Sequence, residues 1–158
     1  MANVKLAYSA ATAITCTLTS LGAISARESA SVDNSTNLYL DALVQLKTKV
    51  DTGAPANDKA LYVYAAGSDD AGTTWPDVVT GADAAITLQS PTQLRLIGTL
   101  FLVSASTVYK SAPFSVGAAF GGQLPPKWSI VILNSSAALT AVAGDHALQY
   151  VGVSQTVI

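Results

Sequence analysis

The stretch "GGQLPPKWSIVILN", residues 121–134, joins a glycine pair and a proline pair to a dense apolar run. From Trp128 onward, β-branched and aromatic residues dominate, and these residue types suit a pleated strand. A phosphate-binding loop would need a lysine and a hydroxyl at the start of a helix, but the proline pair bars a helix there. The stretch therefore predicts a loop whose glycines serve the backbone, then a strand over 128–134 with Trp128 packed on or beside a sandwich.

Alternating apolar and polar residues recur on both sides of this stretch, with turn residues between the segments. In the longest segment, 38–50, one apolar face opposes a polar one, and that face comprises Leu38, Leu40, Ala42, Val44, Leu46 and Val50. The other expected strands are 14–19, 60–67, 84–89, 94–103, 107–116 and 147–153. About seven to nine strands without intervening helices predict an all-β, antiparallel β-sandwich. The missing immunoglobulin pattern of Cys, Trp and Cys favours a jelly-roll-like arrangement.

The length of 158 residues predicts a single β-sandwich domain, 1–158, within which residues 1–12 form an extended N-terminal arm ordered by a neighbouring chain. The apolar residues that follow alternate with threonines, as a half-buried strand does, whereas a signal peptide needs a continuous apolar run. No run approaches the roughly 18–20 apolar residues of a membrane span. We therefore expect no membrane partner and a chain that assembles inside the cell that makes it.

Charged residues make up only 11% of the chain, against about 25% in ordinary soluble domains. Because surface charge keeps monomers soluble and discourages sheet edges from pairing, this composition predicts a homo-oligomer or a surface covered by other subunits. The formal net charge of −2 supplies no basic field for nucleic acid. Direct binding of DNA or RNA is therefore not expected.

Residues suited to catalysis or to metal binding are few. A single cysteine, Cys16, falls within a predicted strand, and a single histidine, His146, falls in a predicted turn. No serine lies in a nucleophile elbow, so we expect no enzyme activity, no catalytic residues and no cofactor. A cluster of aspartates in the loop 68–84 could offer oxygens to Ca²⁺, but no calcium-binding spacing organises it, so we expect no metal site. These aspartates are Asp69, Asp70, Asp77 and Asp83.

Four residues are candidates for contact with a partner. Arg27, Glu28 and Asp33 concentrate charge in a polar bridge at 26–37, where they could meet charges on another subunit. Trp75 lies in the long loop and could stack on a carbohydrate or insert into a neighbouring subunit, because aromatic residues in loops often mark contacts. The alternative is a loop that Trp75 anchors on its own core.

Three segments carry a resemblance to a known group of proteins. They are "VDNSTNLYLDALVQLKTKV" (32–50), "LYVYAAGSDDAGTTWPD" (61–77) and "KSAPFSVGAAFGGQLPPKWSIVILNSS" (110–136). Together with the Ala/Thr/Ser-rich composition, they resemble small jelly-roll-like virion structural proteins of tailed bacteriophages, of the head-decoration or cement type. The resemblance implies a non-enzymatic virion protein, assembled in the host cytoplasm, that bridges and stabilises subunits of the major capsid protein. A tail, neck or fibre component of the virion and a carbohydrate-binding β-sandwich module remain as alternatives.

Overall fold

Two antiparallel sheets face each other across an apolar core in the computed structural model, which describes residues 3–157. Sheet A contains β1 (Val4–Tyr8), β2 (Thr12–Ala13), β5 (Asp41–Lys49), β9 (Val108–Lys110), β10 (Phe114–Ser115) and β12 (Ala147–Val157). Sheet B contains β3 (Ser25–Glu28), β4 (Val32–Asp33), β6 (Ala60–Ser68), β7 (Ala84–Ile86), β8 (Arg95–Phe101) and β11 (Lys127–Ser135). Two short 3-10 helices, Gly117–Phe120 and Ala143–Asp145, complete the regular structure of this range.

The strands pair in a nested order that defines the fold. β1 and β2 pair with β12, and β3 and β4 pair with β11. Further inside, β5 pairs with β9 and β10, and β6 pairs with β8. Such nesting is that of one long hairpin rolled up into two sheets, which is the jelly-roll arrangement. The prediction of an all-β, antiparallel, jelly-roll-like sandwich is therefore confirmed.

The strand count differs from the expectation. Twelve strands lie within the described range, because three segments are each interrupted and give two short strands: β1 and β2, β3 and β4, and β9 and β10. The predicted strand 107–116, for example, is interrupted at two residues. The Ser111 hydroxyl accepts a hydrogen bond from the backbone N–H of Leu46, and Pro113 has no N–H to donate. Counted without these interruptions, the segments number nine.

The stretch 121–134 behaves as predicted. Gly121 and Gly122 have φ values of 75° and 92°, in the left-handed region that glycine enters without strain. Strand β11 follows, and the Trp128 side chain is 0% exposed, with its ring packed edge-on against Tyr150 at a centroid distance of 5.3 Å. Five successive residues of β11, 128–132, are buried because both faces of the strand are covered.

Three other segments differ from their predictions. Residues 14–19 show the expected alternation of burial, but they cross between the sheets without forming a strand. The polar bridge 26–37 includes part of β3 and all of β4, which pair with β11. Leu38 and Leu40 are exposed, because the strand begins at Asp41 and Leu38 has a φ of 51° that breaks the alternation.

The N-terminal segment is placed by its own chain. Strand β1 pairs with β12 over five residue pairs, from Val4 with Val157 to Tyr8 with Val153. Within one chain the strand residues of the predicted arm therefore pair with β12, and their ordering by a neighbouring chain stays a prediction. Residues 1 and 2 of this segment, and residue 158 of the predicted domain, lie outside the described residues.

Candidate interaction surfaces

The chain itself covers the middle of the outer face of sheet B. The segment 69–94 folds back over this face and buries Val79 and Leu94 against Ala66 of β6 and Val131 of β11. This second apolar cluster lies on the side of sheet B opposite the main core, so the sheet is buried on both sides where the segment crosses it. In a strand with one face in solvent, buried and exposed residues alternate. The covering segment explains why residues 128–132 of β11 are instead all buried.

Glu28 holds the covering segment to the sheet. Its side chain is 0% exposed, and its carboxylate accepts hydrogen bonds from the backbone N–H groups of Thr80, at 2.8 Å, and Gly81, at 3.2 Å. The Thr80 hydroxyl donates a further short bond to the other oxygen. Glu28 has no exposed surface in the single chain, and these internal donors satisfy its carboxylate; its contact with a partner stays a prediction.

Arg27 is also bound within the chain. Its Nε lies 2.7 Å from Oδ1 of Asp83, and the same carboxylate accepts the backbone N–H of Thr17 at 3.0 Å. Burial acts to raise the pKa of Asp83, but the hydrogen bonds from Arg27 and Thr17 outweigh it, so the pKa lies below its ordinary value. The Asp83 carboxylate thus ties the covering segment both to β3, through Arg27, and to the crossing segment 14–19, through Thr17.

Three of the aspartates considered for calcium, Asp70, Asp77 and Asp83, accept hydrogen bonds from different parts of the chain, and Asp69 is exposed. Asp70 accepts bonds from Thr74 and Ser68, and these hydrogen bonds lower the pKa of Asp70 to about 2. Asp77 accepts a hydrogen bond from the backbone N–H of Gln89 at 3.1 Å. Gln89 lies far along the segment from the turn that Asp70 stabilises. Across residues 3–157, no three His, Cys, Asp or Glu side chains converge as a metal site would require.

Trp75 anchors the covering segment on its own sheet. Its indole N–H donates to the carbonyl of Gly72 at 3.0 Å, and the ring packs against the second apolar cluster. A Cβ at Gly81 would lie 2.9 Å from the ring, so the indole rests directly on that glycine. The alternative in which Trp75 anchors its loop matches this geometry.

Asp33 is the most exposed of the four predicted contacts. Its carboxylate lies 3.9 Å from the Lys127 ammonium, and its side chain is 53% exposed. Hydrogen bonds from the hydroxyl and amide of Ser35 lower its pKa. The structure thus places Glu28 beneath the covering segment and Trp75 within it, sets Arg27 on the opposite face of β3 with its bond to Asp83, and leaves Asp33 outside the segment.

Sheet A presents the opposite situation, because its outward side chains keep solvent-exposed surface. On β1, Val4, Leu6 and Tyr8 are 59%, 58% and 62% exposed, respectively. They belong to the outward face of sheet A, which is apolar near β1 and carries lysines near β9. Its remaining apolar members include Leu43, Val151 and Val157, and its lysines are Lys47, Lys49 and Lys110. We call this surface the open face.

Sequence reasoning missed the open face for a definable reason. Alternation showed that β5 has two unlike faces, but it could not show which strands would lie beside it. The signal that could have found the face is the sequence of β1, "VKLAY", in which three large apolar side chains share one side of a strand. That run was assigned to an arm and so was not placed beside β12.

A groove lies on the outer face of sheet B, between residues 17–27 and residues 85–92. It has a volume of about 930 Å³. Apart from Arg27 its lining is uncharged. It combines polar side chains, Thr17, Thr19, Ser25, Thr87, Gln89 and Thr92, with the ring of Tyr64 and apolar side chains such as Ile24, Leu88 and Leu133. Such a surface offers hydrogen bonds and one aromatic ring without a large charge.

His146 and Cys16 have structural surroundings. Nδ1 of His146 lies 2.9 Å from the Thr48 hydroxyl, and Nε2 lies 2.9 Å from the carbonyl oxygen of Thr140. The ring thereby ties the loop before β12 to β5. Burial, assisted by the negative charge of Asp83, raises the pKa of the Cys16 thiol to about 12, so the reactive thiolate is scarce at neutral pH.

Comparison with known proteins does not assign the chain to a family. Among residues 3–157, no helix is long and apolar enough to cross a bilayer. Searches against protein-family models, curated proteins and solved structures found no match. The open face and the hydroxyl-lined groove are therefore the features from which a function has to be argued.

Proposed function

We propose that this chain is a non-enzymatic structural protein of a tailed-bacteriophage virion, a decoration or cement protein that bridges subunits of the major capsid protein. The observation that carries the proposal is the contrast between the two sheets. Segment 69–94 covers the outer face of β3, β6 and β11 in sheet B and leaves Leu96 and Phe101 of the edge strand β8 exposed, whereas on sheet A the three outward apolar side chains of β1 are all exposed. We assign the open face as the surface that contacts the capsid.

The chemistry of the open face suits a repeated, flat contact. Its apolar side chains can be buried without leaving unpaired charge, and the lysines at its other side lie where an interface rim would be polar. Lys49 already contacts Asp145 at 3.5 Å, and Lys47 donates to the carbonyl of Gly144. A lattice multiplies modest contacts over many copies, so each one can be small.

The composition and the fold support the same role. With 11% charged residues, the chain has less charge than a free monomer ordinarily uses to remain soluble. Jelly rolls occur in viral capsid proteins and in lectins, and the fold alone does not choose between these functions. The choice of a virion role therefore depends on the open face.

The test uses virions produced from the genome that encodes this chain. Electron cryomicroscopy should show many copies on the capsid with the open face toward it. Particles that lack the chain should bind the added wild-type protein, whereas Val151→Glu, which places a charge on the open face, should bind at least tenfold more weakly. The control Leu96→Glu changes an exposed apolar residue of sheet B and should bind normally. Equal binding of both variants would refute the assignment, and density confined to tail, neck or fibre would replace the capsid role.

A carbohydrate-binding module is the second candidate, and the hydroxyl-lined groove favours it. Tyr64 supplies a ring on which a sugar could stack, and the hydroxyl and amide groups around it could bond sugar hydroxyls. The isolated protein on a glycan array would then give saturable signals that Tyr64→Ala abolishes. Absence of any signal on an array of broad coverage would remove this candidate.

A further inference from the structure

Strand β1 leaves one edge of sheet A unpaired. The backbone N–H of Ser9 donates to the carbonyl of Gly152 at 2.9 Å. Because hydrogen-bonded pairs alternate along an antiparallel ladder, Ala7 and Lys5 also direct their backbone groups at β12. The N–H and C=O groups of Val4, Leu6 and Tyr8 consequently point away from it, and no strand within residues 3–157 pairs with this edge.

The other sheet edges carry the features that prevent strands from adding. β7 has only three residues, and the opposite edge of sheet A is divided between β9 and β10. In β8, the register shifts between Val63 and Tyr64 of its neighbour and leaves one extra residue, Ile97, as a bulge. β1 has no proline and no bulge, its pairing with β12 is continuous, and Lys5 is its one protective charge. Edges of this kind readily accept another strand.

The same strand belongs to an unsupported ribbon. The register of β5 with β12 ends at Val153, so from Ser154 to Val157 β12 pairs with β1 alone. Val157 is 67% exposed and lies opposite the exposed Val4. A two-stranded ribbon is marginally stable in water, and a third strand is what such ribbons need for stability.

We propose that the third strand is β1 of a second copy of this chain, paired antiparallel about a two-fold axis at Leu6. In this register Leu6 faces Leu6 of the second copy, and Val4 faces Tyr8. All three pairs use the outward backbone groups identified above, and all their side chains lie on the open face. The one charged residue of the strand, Lys5, comes opposite Ala7.

Self-complementarity is what selects a second copy as the occupant. A register shifted so that Val4 faces Leu6 of the other copy would set Lys5 directly opposite Lys5, which is destabilising. A shift in the other direction, with Leu6 facing Tyr8 of the other copy, leaves only two pairs of β1 residues whose backbone groups point at each other. The proposed register alone makes all three pairs while keeping the lysines apart. This inference stands independently of the proposed virion role, because it concerns the chain's association with itself.

Cysteine crosslinking in the full chain tests the register. Directly opposite residues in a hydrogen-bonded antiparallel pair have Cα atoms about 5.5 Å apart, within the range of roughly 4.4–6.8 Å that a disulfide spans. Leu6→Cys should therefore form a covalent dimer under mild oxidation. Val4→Cys is the matched control, since Val4 is equally exposed but lies four residues out of register with Val4 of the other copy. The wild-type chain reports any contribution from Cys16.

Light scattering after size exclusion tests the edge itself. The wild-type chain should be a dimer, and Leu6→Pro should be a monomer with the wild-type circular dichroism, because the N–H that it removes points away from β12. Should Leu6→Pro fail to fold, the crosslinking comparison decides alone. A wild-type chain that stays monomeric at every soluble concentration, or Leu6→Cys that crosslinks no faster than Val4→Cys, overturns the proposal. A monomer that binds an unrelated extended peptide along β1 overturns it as well.

Discussion

Replacing Glu28 with glutamine should loosen the covering segment from sheet B. The carboxylate is buried and accepts the N–H groups of Thr80 and Gly81 together with the Thr80 hydroxyl. Glutamine keeps the size and one acceptor oxygen, but it turns an NH₂ group toward donors that need an acceptor. The variant thus isolates the hydrogen bonds from the packing.

The expected loss follows from these bonds. A hydrogen bond to a charged group contributes about 1.5–3 kcal/mol, against roughly 0.5–1.5 kcal/mol for a neutral one, and an unsatisfied buried donor costs about 1–3 kcal/mol. Weakening two bonds and mismatching a third gives a loss of about 2–4 kcal/mol in the free energy of unfolding. The Thr80 hydroxyl can turn to water, which keeps the loss from being larger.

Two measurements check this expectation. Urea unfolding gives the change in global stability, and hydrogen exchange at the amides of Thr80 and Gly81 reports opening of the segment alone. Asp33→Asn is the matched control, because it makes the same chemical change at an exposed carboxylate and should alter stability by less than about 0.5 kcal/mol. If Glu28→Gln also changes stability by less than this and the two amides exchange at the wild-type rate, Glu28 does not hold the segment.

Three further predictions concern the core, a turn and the contact between the sheets. Trp128→Ala should lower the free energy of unfolding by about 3–5 kcal/mol, and Trp128→Phe by clearly less, because the buried indole N–H has no hydrogen-bond partner; urea unfolding measures both. The pKa of Asp70 is lowered to about 2 in the folded chain, whereas an aspartate in the unfolded chain has a pKa near about 3.9. The ionised carboxylate therefore stabilises the fold fully above about pH 3.9, and this contribution is lost as the pH falls through about 2. Between these two pH values, the urea midpoint of Asp70→Asn should fall less than that of the wild type. Gly98→Ala should cost about 1–3 kcal/mol because its Cβ would overlap the Phe114 ring, and Phe114→Leu should relieve this loss in a double-mutant cycle.

The sequence predicted those parts of the fold in which local pattern and tertiary environment agree. Strand β11 was found because apolar, β-branched residues satisfy both of the surfaces that cover it, and its preceding turn because only glycine adopts the required φ without strain. Leu38 was misplaced because the alternation of residue types begins before the backbone becomes a strand at Asp41. A pattern of residue types does not record where one conformation ends.

The surfaces were less predictable than the strands. The sequence could not show what Glu28 and Arg27 bond within the chain, because Thr80 and Asp83 lie more than fifty residues further along it. Which backbone N–H groups come within reach of a carboxylate depends on the path of the whole covering segment. The open face depends in the same way on β1 lying beside β12, which no local signal specifies.

The nested pairing of the strands has a consequence for biosynthesis. β12 lies at the centre of sheet A, between β1 and β5, yet it is the last strand of the sandwich to leave the ribosome. Until it arrives, β5 and β1 have no neighbour on that side, and sheet A cannot close over the core. We expect a nascent chain that stops before Ala147 to be protease-sensitive and to recruit chaperones, and the native sandwich to form only after β12 has emerged, with the slow kinetics of non-local pairing.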